Sequence, residues 1–270
     1  MSKVFGTPLL EIASQTNQAI PPFLETCFEF MMRNAEVEGI FRSPGDNAVI
    51  KRLILLLDST NEFQITEDIS PFVISNIITR FINHIPGHIL IDSNQPKWDG
   101  ELTLEQIKSN INELPRINQA LLSRLFAFFI IICRSSHKNK MIDSNIAIIL
   151  SPILVIDPDN PRWLLKLSNI LLIFNNYFEV FGSLSSIDQE TGDFLDSAKF
   201  NEKVGNIWGD FLCQSCIVLN HQEPSDDDDL NETEEKMWRG LTIPNTNYVA
   251  LIEDLLGDTN KVATRQLTPL

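Results

Sequence analysis

Apolar residues recur every three or four positions along most of residues 20–182, which is the spacing of one face of an α-helix. This pattern predicts helices that begin at Pro21-Pro22 and that cover residues 46–57, 68–85, 115–134, 143–150 and 163–182. A shorter helix is expected at Thr103, where Thr-Leu-Glu-Gln is a capping-box pattern, and Asp46 is placed to cap the 46–57 helix. No stretch alternates apolar and polar residues between hairpin turns, so the body is predicted to be all-α.

The predicted helices have apolar faces that should pack on one another. Their inward residues are expected to be Phe23, Leu24, Cys27, Phe28, Phe30 and Met31; Val49, Ile50, Leu53, Ile54 and Leu57; Phe72, Ile74, Ile77, Ile78, Phe81, Ile82 and Ile85; and Trp163, Leu164, Leu167, Ile170, Leu171, Phe174 and Phe178. The helix at 115–134 is apolar on several faces and is therefore predicted to be central. Ser151-Pro152 should end the 143–150 helix, since proline interrupts a helix interior.

A short turn-rich stretch, residues 38–46, separates the first two of these helices and carries one arginine; we call it the Arg42 loop. Gly39 and Gly45 permit backbone angles closed to other residues, and Pro44 disfavours helix at the residue before it. Arg42 is thus expected at the lip of a tight turn, where a forked, permanent cation suits a phosphate or a carboxylate. The plainer alternative is a surface arginine paired with a nearby carboxylate.

Charge is distributed unevenly along the 270 residues. The net charge is -15, with 17 Asp and Glu against 6 Lys and Arg from residue 186 onward, but 19 against 15 in residues 1–185. The hydrophobic content of 43%, with 17 Phe, is enough for a buried core. Two parts are therefore predicted, a helical domain at residues 1–185 and an acidic C-terminal extension at residues 186–270. An acidic chain disfavours binding to nucleic acid or anionic lipid through its net charge.

The extension carries three features that we interpret conservatively. The aspartate run at 226–229 is expected to be a solvated linker, because adjacent carboxylates without turn geometry bind calcium poorly. Residues 246–256 form either a small amphipathic docking helix or a mobile terminus. Cys213 and Cys216 make a lone Cys-x-x-Cys near His221, without the context of a zinc or thioredoxin-type site. We attribute that spacing to chance and expect no metal site.

Neither a catalytic motif nor a membrane span is expected from the sequence. Ser-His-Asp, Walker-type and dinucleotide-binding motifs are missing, and the apolar runs at 125–133 and 146–156 are too short to cross a bilayer. Cys27 and Cys133 fall in apolar helical patterns and are predicted to pack in the core. His84 and His88 are expected in a loop, because a Pro-Gly pair separates them. The expected setting is the reducing cytoplasm.

Five motifs follow one another between residues 5 and 182. They are Phe5-Gly6-Thr7-Pro8-Leu9; Ile20-Pro21-Pro22-Phe23-Leu24; Glu38-Gly39-Ile40-Phe41-Arg42 followed by Gly45; Leu114-Pro115 with Asn118 and Leu121-Leu122; and Asn139-Lys140-Met141 with Ile146-Ala147-Ile148 and Pro152. In this order they resemble the motifs of the RhoGAP domain, the GTPase-activating module for Rho-family small G proteins. The resemblance covers the whole predicted body and implies a single multi-helix bundle, followed here by the acidic extension.

The resemblance also implies a function and a set of site residues. Arg42 would be the arginine finger that stimulates GTP hydrolysis in the nucleotide site of a Rho or Rac-type GTPase. The residues at GTPase-binding positions would be Phe41, Ser43, Thr79, Arg80, Asn83 and Ile153. The partner would carry the GTP and the Mg²⁺, so the chain would need no cofactor of its own and would act in trans. The expected protein is a cytoplasmic monomer that reaches membranes through its partner, without inserting into them.

Four departures from the family pattern bear on that implication. Thr79 stands where the family usually has a lysine, Asn83 where it has an arginine, Ile153 where it has an asparagine, and Ile85-Pro86-Gly87-His88-Ile89 where it has Leu-Pro-Glu-Pro-Leu. In the family, that lysine and asparagine help to bind the GTPase and to brace the finger loop. Arg80 adjoins the lost lysine, but a step of one residue turns the side chain by about 100° around the helix.

Two alternatives therefore stand beside GTPase activation. In the first, the chain binds GTP-loaded Rho proteins as an effector or scaffold without accelerating hydrolysis. In the second, it is a helical scaffold with no G-protein partner. The sequence does not name the GTPase, because specificity of this kind is spread over surface complementarity on several helices.

Overall fold

The computed structural model describes residues 3–60, 63–66, 68–90, 97–154 and 167–205, all within the unit that extends from Met1 to Val218. These ranges form α1 (Leu9–Thr16), α2 (Pro22–Arg33), α3 (Asn47–Thr60), α4 (Pro71–Asn83), α5 (Leu104–Asn112), α6 (Arg116–Cys133), α7 (Ser136–Asn139), α8 (Asp143–Leu154), α9 (Leu167–Asn175), α10 (Tyr177–Phe181) and α11 (Ser197–Gly205). No strand forms within them, and the pairing of Ile187 with Phe194 is an isolated antiparallel bridge. The predicted all-α fold is confirmed.

The long helix α6 lies at the centre of the fold, as its apolar sequence predicted. Every residue from 117 to 129 is buried, and α2, α5, α8 and α10 all pack against this helix. Phe28 of α2 stacks on Phe128 of α6 with 4.5 Å between the ring centroids. By length and hydropathy α6 would also qualify as a membrane span, but 78% of it is buried inside the protein. That burial is what a core helix requires.

Three helix starts follow the capping chemistry expected from the sequence. The Asp46 carboxylate accepts hydrogen bonds from the backbone N–H groups of Ala48 and Val49, at 2.8 and 3.2 Å. Thr103 and Gln106 form the predicted capping box, in which each side chain accepts the backbone N–H of the other residue. α2 begins at a proline, where the missing N–H leaves no helical bond broken.

Most residues of the predicted apolar faces are buried in the core. The half-buried exceptions are Val49, Ile54, Phe72, Leu167 and Leu171, while Trp163 and Leu164 lie outside the described residues. Cys27 is fully buried and Cys133 is partly buried, both against apolar neighbours. The helical periodicity therefore identified the core faces correctly at most positions.

The predictions that a helix ends before Pro152 and that another continues through Asn176 are wrong. α8 continues through Pro152 for two further residues, because a proline in the last turn removes only one N–H donor. The helix predicted at 163–182 is interrupted at Asn176, which has a φ of -122° and whose side chain donates to the Leu172 carbonyl at 2.9 Å. As a result Phe178 is 41% exposed, although the pattern placed it in the core.

Two packed segments were not predicted. α1 follows Pro8 directly and places Leu9, Ile12 and Ala13 in the core. The described fold also continues past the predicted boundary after residue 185, where the buried apolar residues are Ile187, Leu195, Phe200 and Val204. No helical period marks this segment, since the chain turns back on itself at 188–193 before α11 begins. The predictions for the aspartate run, for 246–256 and for Cys213 and Cys216 lie outside the described residues.

A buried ion pair joins this last segment to the core. Arg124 of α6 donates through Nε and Nη2 to the two carboxylate oxygens of Glu25 in α2, at 2.8 and 2.7 Å. Its Nη1 donates to the Leu195 carbonyl at 2.7 Å. The guanidinium carbon lies 3.8 Å from the ring centre of Phe194 and 4.9 Å from that of Phe200. Arg124 thereby links α2 and α6 to residues 194–200.

Candidate functional site

Arg42 lies on the surface, in the loop between α2 and α3. Its side chain is exposed and makes no hydrogen bond or ion pair with any residue in the described ranges. Its backbone N–H donates to the Gly39 carbonyl at 3.0 Å, and the Ser43 N–H donates to the same oxygen at 2.9 Å. The exposed position is the one that the turn residues predicted. The alternative of a paired surface arginine has no carboxylate to support it among the described residues.

Both glycines of the Arg42 loop occupy positions that suit no other residue. Gly39 has a φ of +81°, in the left-handed region, and its N–H donates to the Asn139 carbonyl at 3.1 Å. A Cβ at Gly45 would lie 2.7 Å from the Phe72 carbonyl oxygen and 2.8 Å from the Val73 Cα. The loop backbone therefore approaches the start of α4 more closely than any side chain would permit. Neighbouring elements hold the loop on both sides of Arg42.

Phe41 faces inward, although the resemblance placed it among the GTPase-binding residues. Its side chain is 8% exposed, and its ring makes edge contacts with Phe128 and Phe129 of α6, with centroids 5.9 and 5.0 Å apart. Its backbone φ is +63°, a conformation that costs a bulky residue on the order of 1–3 kcal/mol. The aromatic packing offsets that strain. This burial does not favour a direct contact of Phe41 with a GTPase.

The short helix α7 and the residues after it contact the base of the Arg42 loop; we call residues 136–141 the α7 corner. Asn139 is fully buried there, and its Nδ2 donates to the carbonyls of Ala35 and Ile132 at 2.7 and 2.9 Å. Its Oδ1 accepts the Met141 N–H at 2.7 Å. The sequence predicted a polar corner at this point but gave Asn139 no role. Its membership of the Asn139-Lys140-Met141 motif was the available signal.

A surface ion pair adds a second link between the α7 corner and the chain that leads into the loop. Lys138 Nζ lies 2.6 Å from a Glu36 carboxylate oxygen, and both side chains are about half exposed. The hydrogen bond from Lys138, together with its charge, holds the pKa of the Glu36 carboxyl below its ordinary value. An exposed pair of this kind contributes little to stability.

Two of the positions implied by the resemblance lie inside the fold. Thr79 is 5% exposed, and its hydroxyl hydrogen-bonds within α4, to the carbonyls of Ser75 and Asn76 at 3.3 and 3.1 Å. Ile153 of α8 is 8% exposed. Neither residue presents a polar group at the surface, where the family has a lysine and an asparagine.

The remaining positions are at least partly accessible. Arg80 is half-buried, and its Nη2 donates at 2.9 Å to the side-chain oxygen of Asn47, the first residue of α3. This bond ties α4 to the C-terminal end of the Arg42 loop. Asn83 lies three residues further along α4 and Ser43 lies beside Arg42, and both are half-buried. Arg42, Ser43, Arg80 and Asn83 are therefore the candidate residues that a partner protein can reach.

The described ranges offer little other chemistry. Burial raises the pKa of the Cys27 thiol well above its ordinary value. Burial, with the Asp143 carboxylate nearby, raises the pKa of Cys133 to about 12, so both thiols stay protonated at neutral pH. No group of His, Cys, Asp and Glu in these ranges has the arrangement of a metal site. His84 ends α4, with its Nδ1 2.7 Å from the Arg80 carbonyl oxygen.

The chain is similar in sequence to proteins that are described as Rho GTPase-activating proteins. The chain is 29% identical over 161 residues to the Rho GTPase-activating protein gacJ of Dictyostelium discoideum, a match that covers 56% of this chain and 17% of that protein. It is 27% identical over 164 residues to Rho GTPase-activating protein 12 of Mus musculus, covering 57% and 19%. The chain thus spans about a fifth of the length of the relatives it matches.

The fold is similar to solved structures, and the sequence matches the model of a protein family. Human Rho GTPase activating protein 15 superposes with a TM-score of 0.60 at 22% identity, covering 67% of this chain and 93% of that one. The BH domain from Graf, the GTPase regulator associated with focal adhesion kinase, superposes with a TM-score of 0.52 at 18% identity, covering 59% and 92%. The model of the RhoGAP domain matches residues 21–159, which include the Arg42 loop and the α7 corner. This chain belongs to the RhoGAP domain family.

Proposed function

We propose that this chain activates GTP hydrolysis by a Rho-family small GTPase, and that Arg42 enters the nucleotide site of that partner. One observation carries the proposal: an exposed arginine without a partner in the described ranges lies between the buried Phe41 and the closely packed Gly45. A guanidinium held out in this way is available to a phosphate of another protein. Membership of the RhoGAP family and the names of its relatives support the same activity.

The chemistry assigned to Arg42 is electrostatic stabilisation of a transition state. As the γ-phosphoryl group of GTP transfers to water, charge moves toward the β–γ bridge and spreads over the phosphoryl oxygens. A forked cation placed there binds the transition state more tightly than the ground state, which lowers the barrier. An arginine supplied in trans accelerates hydrolysis by about 10³–10⁵, equivalent to roughly 4–7 kcal/mol.

In that chemistry the GTPase and this chain supply different groups. The GTPase supplies GTP, Mg²⁺ and the attacking water, and this chain supplies a positioned cation without a cofactor of its own. Ser43, Arg80 and Asn83, which are half-buried, are the other residues assigned to the proposed contact surface. A cytoplasmic location, a monomeric state and recruitment to membranes through the GTPase remain predictions.

A second candidate function is binding of the GTP-loaded GTPase without acceleration of hydrolysis. It is favoured by the burial of Thr79 and Ile153, because no cationic or amide group is presented where the family has its lysine and asparagine. Arg80 is engaged with Asn47, and its side chain leaves α4 about 100° from that of residue 79. Under this alternative the chain would compete with other partners of the GTPase.

Single-turnover hydrolysis by a panel of Rho-family GTPases distinguishes the two functions. Each GTPase is assayed alone, with the unmodified chain, with Arg42→Ala, and with Arg33→Ala as a matched variant of another exposed arginine. The proposal expects stimulation of at least one GTPase that Arg42→Ala removes and Arg33→Ala retains. Binding of the GTP-loaded form without any stimulation would establish the second function instead, and the absence of both binding and stimulation would contradict the two together.

A further inference from the structure

We infer that the α7 corner and Phe41 position Arg42 for catalysis, with Asn139 as the principal positioning residue. The inference rests on the proposed function and concerns how this chain holds its arginine. Asn139 and Phe41 are both buried, so neither side chain is placed to touch the partner or the nucleotide. Their effect would pass through the backbone of the Arg42 loop.

A relay of backbone hydrogen bonds joins Asn139 to Arg42. The Asn139 carbonyl accepts the Gly39 N–H at 3.1 Å. The Gly39 carbonyl in turn accepts the N–H groups of Arg42 and Ser43 at 3.0 and 2.9 Å. The peptide groups on either side of Gly39 are thus oriented by the α7 corner, and the backbone of Arg42 is two hydrogen bonds away from Asn139.

The side chain of Asn139 fixes the carbonyl that begins this relay. Its three hydrogen bonds reach three separate places in the chain: Ala35 just after α2, Ile132 near the end of α6, and Met141 in the corner itself. All three bonds are buried, where an unmade bond costs more than one exposed to water. The orientation of the Asn139 backbone is therefore set by the core and not by the surface.

Phe41 supplies the second constraint, from the other side of the loop. Its ring is held by Phe128 and Phe129 of the central helix. The positive φ at Phe41 is maintained by that packing, and it directs the chain so that residue 41 points inward while residue 42 is exposed. A loop fixed by both constraints loses little conformational freedom when Arg42 enters a nucleotide site.

This arrangement predicts a loss of rate without a matching loss of affinity. A misplacement of about 1 Å costs a catalytic group about a hundredfold in rate, whereas binding relies on the rest of the contact surface. Asn139→Ala is therefore expected to lower the saturating hydrolysis rate about 10- to 100-fold and to change the dissociation constant by less than about twofold. Phe41→Leu, which keeps an apolar side chain, is expected to act in the same direction more weakly.

Matched variants separate positioning from general loss of stability. Asn169 is equally buried, and its side chain also makes three backbone hydrogen bonds, to Trp98, Gly100 and Leu102. None of these partners belongs to the Arg42 loop or the α7 corner, so Asn169→Ala is the control for Asn139→Ala. Phe181→Leu is the corresponding control for Phe41→Leu, because the ring of Phe181 contacts Phe126 and Tyr177.

The experiment uses the full chain and the GTPase that the unmodified chain stimulates most. Single-turnover rates are measured with the chain in saturating excess, and dissociation constants with the GTPase loaded with a non-hydrolysable GTP analogue. Each variant is also made in the Arg42→Ala background. Hydrogen exchange of the Gly39 amide is measured as a readout that needs no GTPase, and it should quicken in Asn139→Ala relative to Asn169→Ala.

The expected result is a rate loss in Asn139→Ala and Phe41→Leu that their controls do not share and that disappears when Arg42 is already alanine. Equal losses in variant and control, a further loss in the Arg42→Ala background, or a change mainly in affinity would each overturn the inference. If Asn139→Ala does not fold, the Phe41→Leu comparison decides the question alone. If Arg42→Ala itself leaves the hydrolysis rate unchanged, that result would instead contradict the proposed function.

Discussion

Arg42 and Arg124 carry the same guanidinium group into opposite surroundings. Arg124 is 1% exposed, and it meets a carboxylate, a carbonyl and two aromatic rings. Arg42 is exposed and has no partner within the described residues. A buried cation persists only when its hydrogen bonds replace the lost water, whereas a hydrated one stays available to an external anion. The comparison gives Arg124 a structural role and is consistent with the function proposed for Arg42.

The strongest test of this contrast removes the segment that covers Arg124. A chain that ends after residue 185 lacks the Leu195 carbonyl and the rings of Phe194 and Phe200, but keeps the Arg42 loop. Each large apolar side chain lost from the core removes about 1.5–3 kcal/mol, and several together approach the 5–15 kcal/mol that is typical of a whole domain. We expect no cooperative thermal unfolding for residues 1–185, followed by circular dichroism, and a cooperative transition for residues 1–218. Cooperative unfolding of the shorter chain would refute the structural role of residues 186–205.

Removing one partner of the buried pair should have the next largest effect. Arg124→Ala leaves the Glu25 carboxylate buried without its cation, so we expect a loss of about 3–5 kcal/mol in the free energy of unfolding. Replacing both residues, Glu25→Leu with Arg124→Met, should recover most of that loss because no charge is left behind. Urea unfolding measures both. A small loss of stability in Arg124→Ala would show that the buried pair does not have this structural role. A double variant no more stable than Arg124→Ala would show the same.

The smallest expected effect is a pH dependence of the turn that precedes Leu195. The Asp188 carboxylate accepts the N–H groups of Thr191 and Glu190, both at 2.9 Å, and these bonds lower its pKa below the ordinary value of 3.8. Because the folded pKa is the lower one, this contribution to stability is present above pH 3.8 and is lost as the pH falls through the folded pKa.

Urea midpoints measured from about pH 6 down to about pH 2 should therefore fall less steeply in Asp188→Asn than in the unmodified chain. Glu190→Gln, which replaces a neighbouring exposed carboxylate, is the matched substitution with which that change in slope is compared. Identical slopes for all three proteins would mean that these hydrogen bonds do not contribute to the pH dependence.

Local chemistry in the sequence predicted much of the fold. The caps at Asp46 and Thr103 and the apolar period of α2 and α6 act within a few residues of chain, so they can be recognised without knowing the rest. The end of α8 and the exposure of Phe178 depend on which neighbours cover them, and no local pattern records that. The packing of the segment after residue 185 was missed for the same reason. The positions of its buried residues depend on the part of the core that they cover, and not on a local period.

The features of the candidate site also divide into those that local sequence predicts and those that depend on packing. The exposed position of Arg42 follows from the glycines and proline around it, which act locally. The inward positions of Phe41, Thr79 and Ile153 depend on packing against α6 and the other helices, so a motif that places them at GTPase-binding positions does not reveal their burial. The role of Asn139 was missed for a different reason. Its side chain binds three backbone groups, which residue types do not record, so its place in the Asn139-Lys140-Met141 motif was the available signal.

The most direct measurement is the saturating single-turnover rate of GTP hydrolysis by a responsive Rho-family GTPase with Arg42→Ala in place of the unmodified chain. We predict that the rate falls by about 10³–10⁵ while the urea midpoint of the chain stays where it was. Equal rates for the two chains would contradict the assignment of Arg42 as the residue that enters the nucleotide site.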